Sequence, residues 1–414
     1  MTDHFFSSPD VLQRLHAGPL GDHIDSFSRL LLEQGYASRT AKEKIRLVAD
    51  LSRWLERKQL QVIDLDEEKI SEFLRFRANH YAPNRYEHST FQALLRHLLG
   101  AGIIPHPAPP FDDSALGRIE SDFGRYLMQE RGLTQATLDT YLPIARRFLS
   151  KRFGTVTIML EELAPQDITR FILRHAHIAS PSRAKLMVAA LRSFLHFLYQ
   201  RGQIATDLAK CVPAVANWEM SELPKFLKPE EVESLLQSCD QSSPIGQRDY
   251  AVLLLLARLG LRAGEVVHMV LEDIDWETGK FIVSGKSARQ DRLPLPQDVG
   301  EALATYLCHG RPHCSSRRVF IRMLAPYQGF SSSSAIRDIV RRAFGRAGLH
   351  RKCKGAHLLR HSLATQMLRQ GASLDEIGEI LRHQLTHTTE IYAKVNLVAL
   401  RALAQPWPGG VNHE

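Results

Sequence analysis

Two stretches 97 residues apart carry one pattern, and it restricts the fold more than any other feature of these 414 residues. LLEQGYASRTAKEKIRLVADLSRWLERK, beginning at Leu31, is paralleled by YLMQERGLTQATLDTYLPIARRFLSKR, beginning at Tyr126. Gly35 aligns with Gly132 and Thr40 with Thr137; further on, ISEFL at 70–74 parallels ITRFI at 168–172. In the first copy Ile45, Val48, Leu51 and Leu55 recur at helical spacing, which gives a helix one apolar face. Ser38 stands where that helix would be capped. Two copies are too few for a solenoid, which buries its faces by stacking repeats. The pattern therefore predicts a duplicated helical module. AGIIPHPAPPFDDS, residues 101–114, holds four prolines and reads as the linker between the copies. The second copy closes on SRAKLMVAALRSFLHFLYQRG, with Gly202 in the C-cap position.

A third region opens at KPEEVESLLQSC. Pro229 suits a first helical position, and Glu230 and Glu231 face the positive end of the helix. RDYAVLLLLARLG is apolar enough for a buried helix. KFIVSGKSARQDRLPLP reads as a β-hairpin with a polar turn around Ser287 to Gln290. The expected organisation is an N-terminal segment at 1–21, a helical module at 22–100, a linker at 101–114, a second helical module at 115–205, a linker at 206–224, an α-rich domain at 225–405 and a tail at 406–414. The fold class is mainly α with a small β-sheet in the last domain.

Charge points to a partner. The chain nets +8, yet Arg311 to Arg360 alone holds twelve Lys or Arg against the single acid Asp338. A polyanion fits such a surface, because binding releases its condensed counterions. The longest apolar run, Ala251 to Ala257, is too short to cross a bilayer. The N-terminus lacks the basic-then-apolar order of a signal peptide. Five cysteines without a C-x-x-C pair argue for a reducing compartment, and the expected location is cytoplasmic.

Several motifs fall short of their chemistry. SGKS at 284–287 lacks the correctly spaced upstream glycine and the following helix of a phosphate-binding loop. His357 and His361 sit at i, i+4, but Leu358 occupies the place of the glutamate that a catalytic zinc helix needs. Glu272, Asp273 and Asp275 fit a helix-to-strand turn better than a magnesium site, and CHGRPHC at 308–314 has no recognised ligand spacing. No metal or cofactor is expected.

The richest stretch is GAHLLRHSLATQMLRQGASLDEIGEILRHQLTHTTEIYAK, residues 355–394. It gathers His357, Arg360, His361 and His383 ahead of Tyr392. A guanidinium grips a phosphate through two parallel hydrogen bonds. An imidazole donates to a phosphate oxygen or moves a proton near neutrality. A phenol ionises only near pH 10, and neighbouring cations would favour its phenolate. Such a set suits attack on a phosphodiester, with positive groups stabilising a pentacoordinate phosphorus.

LARLGLRAGEVVHMVLEDID at 256–275, GKSARQDRLPLP at 285–296, GAHLLRHSLAT at 355–365 and LRHQLTHTTEIY at 381–392 resemble, in order, the catalytic boxes of the tyrosine recombinase, or phage integrase, family. The resemblance runs from about 115 to 400, and it implies a helical core-binding domain followed by the catalytic domain. It implies that Tyr392 is the nucleophile that forms a 3′-phosphotyrosyl bond. Arg262 and Arg360 would clamp the non-bridging oxygens, and Lys286 would protonate the departing 5′-oxygen. His357 would assist proton transfer with the tyrosine, His383 would bond the phosphate, and Glu265 would support Arg262. Arg382 stands where the family usually has glycine and could add a DNA phosphate contact. The implied partner is double-stranded DNA, bound by a homo-tetramer on paired recombination sites and met as monomer or dimer when free, with an accessory or partner recombinase as a further candidate. No membrane is involved. The tail VNLVALRALAQPWP is expected to dock on a neighbouring subunit, and the 22–99 block is read as a second DNA-binding module. Two alternatives share the chemistry or the fold: a catalytically idle DNA-binding regulator, and a type IB topoisomerase-like relaxing enzyme.

Overall fold

The computed structural model describes residues 2–82, 84, 86–106, 112–154, 157–176, 180–214, 224–285, 290–351, 355–383, 387–395 and 401. Lys286 and the tail at 397–414, apart from Arg401, lie outside them. The chain divides into two compact units, one of residues 106–221 and one joining 1–105 to 222–414.

The N-terminal block is built from α1 (Pro9–Leu15), α2 (Gly21–Glu33), α3 (Ser38–Arg57), α4 (Glu67–Ala78) and α5 (Glu87–Gly100). The four periodic residues of α3, Ile45, Val48, Leu51 and Leu55, are all fully buried. Phe73 of α4 sits edge-on between Trp54 and Phe91, at centroid distances of 5.7 and 5.5 Å. Ser38 does not cap α3. It is the first helical residue, and Ala37 holds the cap position without a side-chain bond. Residues 2–20, patternless in the sequence, join the same core through Phe5, Phe6, Leu15 and Leu20. Their two helical turns are too short for a periodicity to register.

The second block repeats this order with α6 (Ala115–Arg125), α7 (Gln135–Phe153), α8 (Pro165–Ala176) and α9 (Pro181–Gln200). In both blocks a glycine at positive φ follows the first long helix, Gly35 at 75° and Gly132 at 60°. In both, a 3₁₀ turn precedes the third, Val62–Asp64 and Leu160–Glu162. Gly202 ends α9 as expected: its φ is 67°, and Gln203 N–H reaches back to the Leu198 carbonyl at 2.9 Å.

The third block contains α10 (Pro229–Gln237), α11 (Pro244–Arg258), α12 (Ala263–His268), strands β1 (Ile274–Asp275), β2 (Lys280–Ser284) and β3 (Gln290–Pro294), then α13 (Gln297–Thr305), α14 (Ser334–Arg346), α15 (Ala356–Arg369), α16 (Leu374–Leu381) and α17 (His387–Glu390). Helix α11 is apolar around its whole girth from Ala251 to Leu256 and forms the spine of the core. The strands make an antiparallel sheet in the order β1-β2-β3, so the expected hairpin gains a third strand. Strand β1 was hidden in EDIDWETG because two residues cannot display an alternation. Phe281 pairs with Leu293, and Phe281 and Val283 point into the core. Among the described residues, no helix is long and apolar enough to cross a membrane.

The N-terminal and third blocks meet inside one unit. Tyr327 N–H donates to the Gln34 carbonyl at 2.9 Å. The Tyr327 ring lies against Gly35, where a Cβ would come within 2.1 Å of it, so any larger residue would break the approach.

Candidate active site

Helix α15 carries the centre of the site. His357 and Arg360 are three residues apart and His361 follows, so all three project from one turn. Arg360 is 7% exposed. Its guanidinium donates to the carbonyls of Gly260, in the loop after α11, and Leu381, the last residue of α16. Two distant chain segments are thereby tied to α15. Gly260 allows this at φ 59°; a Cβ there would meet Leu381 at 2.7 Å. Among the described residues, Arg360 has no carboxylate as a hydrogen-bond partner. Burial, then repulsion from Arg262 and Arg382, lowers it to about 10, and it stays charged at neutral pH.

Arg262 caps α12 beside Glu265. The carboxylate accepts from Arg262 N–H and from Nη1, each at 2.8 Å. Arg262 Nη2 also donates to the Arg382 carbonyl at 3.3 Å. Half of the Arg262 side chain remains exposed, while Glu265 is 6% exposed. Arg262, His357 and Arg360 line an open cleft of about 390 Å³, whose other wall carries Ser332, Ser333, Ser334 and Arg337.

Arg382 does not point outward. Its Nη2 donates to Glu265 Oε2 at 2.8 Å, and its side chain is 5% exposed. The expected DNA contact is therefore replaced by a buried ion pair. Its backbone takes the left-handed conformation, φ 54° and ψ 49°, that a glycine would adopt freely. For a side-chain-bearing residue this costs about 1–2 kcal/mol. A charge-assisted hydrogen bond contributes about 1.5–3 kcal/mol, so the two are of the same size. His383 follows in the turn. Its N–H bonds the Gly378 carbonyl at 2.9 Å, and Nδ1 lies 2.8 Å from Thr389 Oγ1. Burial, then the charges of Arg360 and Arg262, lowers His383 to about 4, so it is neutral at pH 7.

Tyr392 lies in the 3₁₀ turn Ile391–Val395 and packs with Ala364, Leu368, Ile377 and Leu381. It is 1% exposed. Its hydroxyl meets His361 Nδ1 at 2.8 Å. Burial lowers His361 to about 4, so the ring is neutral at pH 7, and its tautomer sets which of the two groups donates. His361, not His357, therefore touches the tyrosine; His357 stands edge-on behind it, 5.8 Å away between ring centroids. The sequence places the two imidazoles one turn apart but gives no sign of which one meets a tyrosine 31 residues further on. The expected ease of ionisation is also reversed. Burial raises Tyr392 to about 12, and Arg360 opposes this only in part. The phenol is held neutral in this state of the site.

The site thus brings together Arg262, His357, Arg360, His383 and Tyr392 from four segments. Of the predicted set only Lys286 falls outside the described residues. Among the described residues no cluster of His, Cys, Asp or Glu could hold a metal ion.

The model of the phage integrase family matches residues 225–397, and that of the phage integrase N-terminal SAM-like domain matches 121–202. A Sinorhizobium fredii protein named as an integrase/recombinase is 42% identical over 98% of this chain and 99% of its own length. The tyrosine recombinase XerD of Listeria innocua is 30% identical over 68% of this chain and 95% of its own. In fold, the XerH site-specific recombinase bound to a palindromic difH substrate superposes with a TM-score of 0.54, at 20% identity, over 81% of this chain and 93% of that one. The chain belongs to the phage integrase family, the tyrosine recombinases, and is a DNA strand-exchange enzyme.

Proposed function

We propose that Tyr392 attacks a DNA phosphodiester bound in the cleft beside Arg262 and Arg360, during site-specific recombination. The observation that carries this reading is the charge balance of the site. Among the described residues, Arg262 and Arg382 share one carboxylate, Glu265, while the buried Arg360 bonds the carbonyls of Gly260 and Leu381. A buried cation without an anion is costly, and a phosphate in the cleft would complete it. Attack by the phenolic oxygen forms the phosphotyrosyl bond and breaks the bond to the 5′-oxygen. Lys286 would give that oxygen its proton. The 5′-hydroxyl of a second strand reverses the step, so bond energy is conserved. Arg262 and Arg360 neutralise charge that grows on the non-bridging oxygens, His383 donates to one of them, and His357 serves proton transfer.

The resting tyrosine is not yet ready. Its hydroxyl must leave His361 and its burial must be relieved before it can ionise, and both changes fit the arrival of DNA. The bound partner is duplex DNA, held by the 115–205 block as well as by the catalytic block. Multimeric assembly is supported by a DNA-bound neighbour, a lambda integrase tetramer on a Holliday junction. Tyr392→Phe tests the chemistry. It should bind DNA with unchanged affinity and form no covalent adduct that survives denaturing electrophoresis. An adduct in that variant would remove Tyr392 from the role.

A further inference from the structure

Arg382 breaks a local rule three times. It holds a left-handed backbone conformation, one of only two side-chain-bearing residues to do so among those described. Its guanidinium is buried. Its Nε finds no hydrogen-bond partner among the described residues. Local rules broken together at one position mark a residue whose side chain is used.

Its use can be read from the bonds of Glu265. Oε2 accepts from Arg382 Nη2 and from Arg262 N–H; Oε1 alone is left for the Arg262 guanidinium. Arg262 is therefore held by one carboxylate oxygen rather than by a two-oxygen fork. Its second terminal nitrogen is turned to the Arg382 carbonyl, and its half-exposed side chain lines the cleft. Without Arg382, Glu265 could take both terminal nitrogens of Arg262, the geometry in which a guanidinium and a carboxylate bind best. That pairing would compete directly with a phosphate.

We propose that Arg382 is a positioning residue for the strand-cleavage reaction: by occupying one oxygen of Glu265, its side chain keeps the Arg262 guanidinium open to the phosphate. This rests on the reading of Arg262 as a phosphate clamp.

The test is single-turnover cleavage of a DNA site by the full chain, beside DNA affinity and melting temperature. Arg382→Gly suits the left-handed backbone, so folding is retained. Its cleavage rate at saturating DNA should fall about 10- to 100-fold, the scale of a misplaced catalytic group, with melting temperature and DNA affinity close to wild type. Glu265→Gln, which cannot hold Arg262 by charge, should also slow cleavage. The double variant should be no slower than the slower single, because both changes act on one network. Wild-type cleavage by Arg382→Gly overturns the proposal, as does a rate loss matched by equal losses of affinity and stability, or a double variant whose losses multiply. Arg262→Ala separates the two readings. If it still cleaves, the clamp itself is wrong; if it is inactive while Arg382→Gly is normal, only the positioning role falls.

Discussion

The N-terminal and second helical blocks share a core and differ in what they show to their surroundings. Helix α3 maps onto α7 with an offset of 97, and α4 onto α8 with an offset of 98. Buried positions coincide: Ala41 with Leu138, Val48 with Ala145, Leu51 with Phe148, Phe73 with Phe171. The groove beside them does not. In the second block Lys151, Arg152, Arg170, Arg174 and His175 line it, with Asp167 as the single acid. The matching positions in the N-terminal block are Trp54, Leu55, Glu72, Phe76 and Arg77, with Lys69 in place of the acid. There Trp54 packs on Phe73, and Lys69 pairs with Glu72 at 3.1 Å. Each block holds 13 Lys or Arg, over 21–104 and 115–204. The first sets 12 acids against them and nets +1; the second sets 7 and nets +6. The same scaffold thus carries a net charge suited to a polyanion in one copy and a nearly balanced charge in the other. Beside the reading of 22–99 as a second DNA-binding module we propose another, that this block is a partner of the catalytic block, through the Gln34–Tyr327 bond.

The sharpest effects should come from what is shared. Phe73→Ala and Phe171→Ala each empty an equivalent buried site, and each should lose about 3–5 kcal/mol in denaturant unfolding. A small loss at either would break the structural equivalence. The difference is tested next by charge. Arg170→Glu with Arg174→Glu should weaken DNA binding about 10²-fold near 0.1 M salt and reduce the salt slope by about 2, as expected for two lost phosphate contacts. Glu72→Ala with Phe76→Ala should leave affinity within about 3-fold, because neither side chain carries a positive charge for a phosphate. Equal losses in both copies would favour two DNA-binding modules.

The smallest effect concerns Lys44, whose counterpart in the second block is Tyr141. Lys44 is 1% exposed and bonds Thr90 Oγ1 at 2.9 Å beneath the rings of Tyr36 and Tyr86. Burial lowers it to about 8 from an ordinary 10.5. Between those values the unfolded chain binds more protons than the folded one, so stability rises with pH across the window and is lost as pH falls through it. Lys44→Met should abolish that slope in thermal melts between pH 8 and 10.5. A slope that persists would assign it to another group.

Much of this molecule is local and was legible as such. The apolar stripe of α3, the start of α10 at Pro229, the end of α9 at Gly202 and the buried α11 follow from periodicity and from backbone preferences within one turn. The order of the catalytic boxes is local too, since each box is a short run of residues. Short elements were not legible: α1 and β1 are below the length at which a period can be counted.

Long-range pairing was decided only in three dimensions. Arg382 and Glu265 are 117 residues apart, and nothing in either segment says that this guanidinium turns inward. The choice of His361 over His357 for the tyrosine depends on how the 3₁₀ turn packs against α15. Counting cations near Tyr392 predicted an easily ionised phenol; its desolvation in the small core of α15 and α16 outweighs them. Sequence fixes which faces are apolar because that follows from a repeat along the chain. Which polar groups share a buried space, and so what charge each carries, depends on water excluded by segments far away, and that is a property of the folded whole.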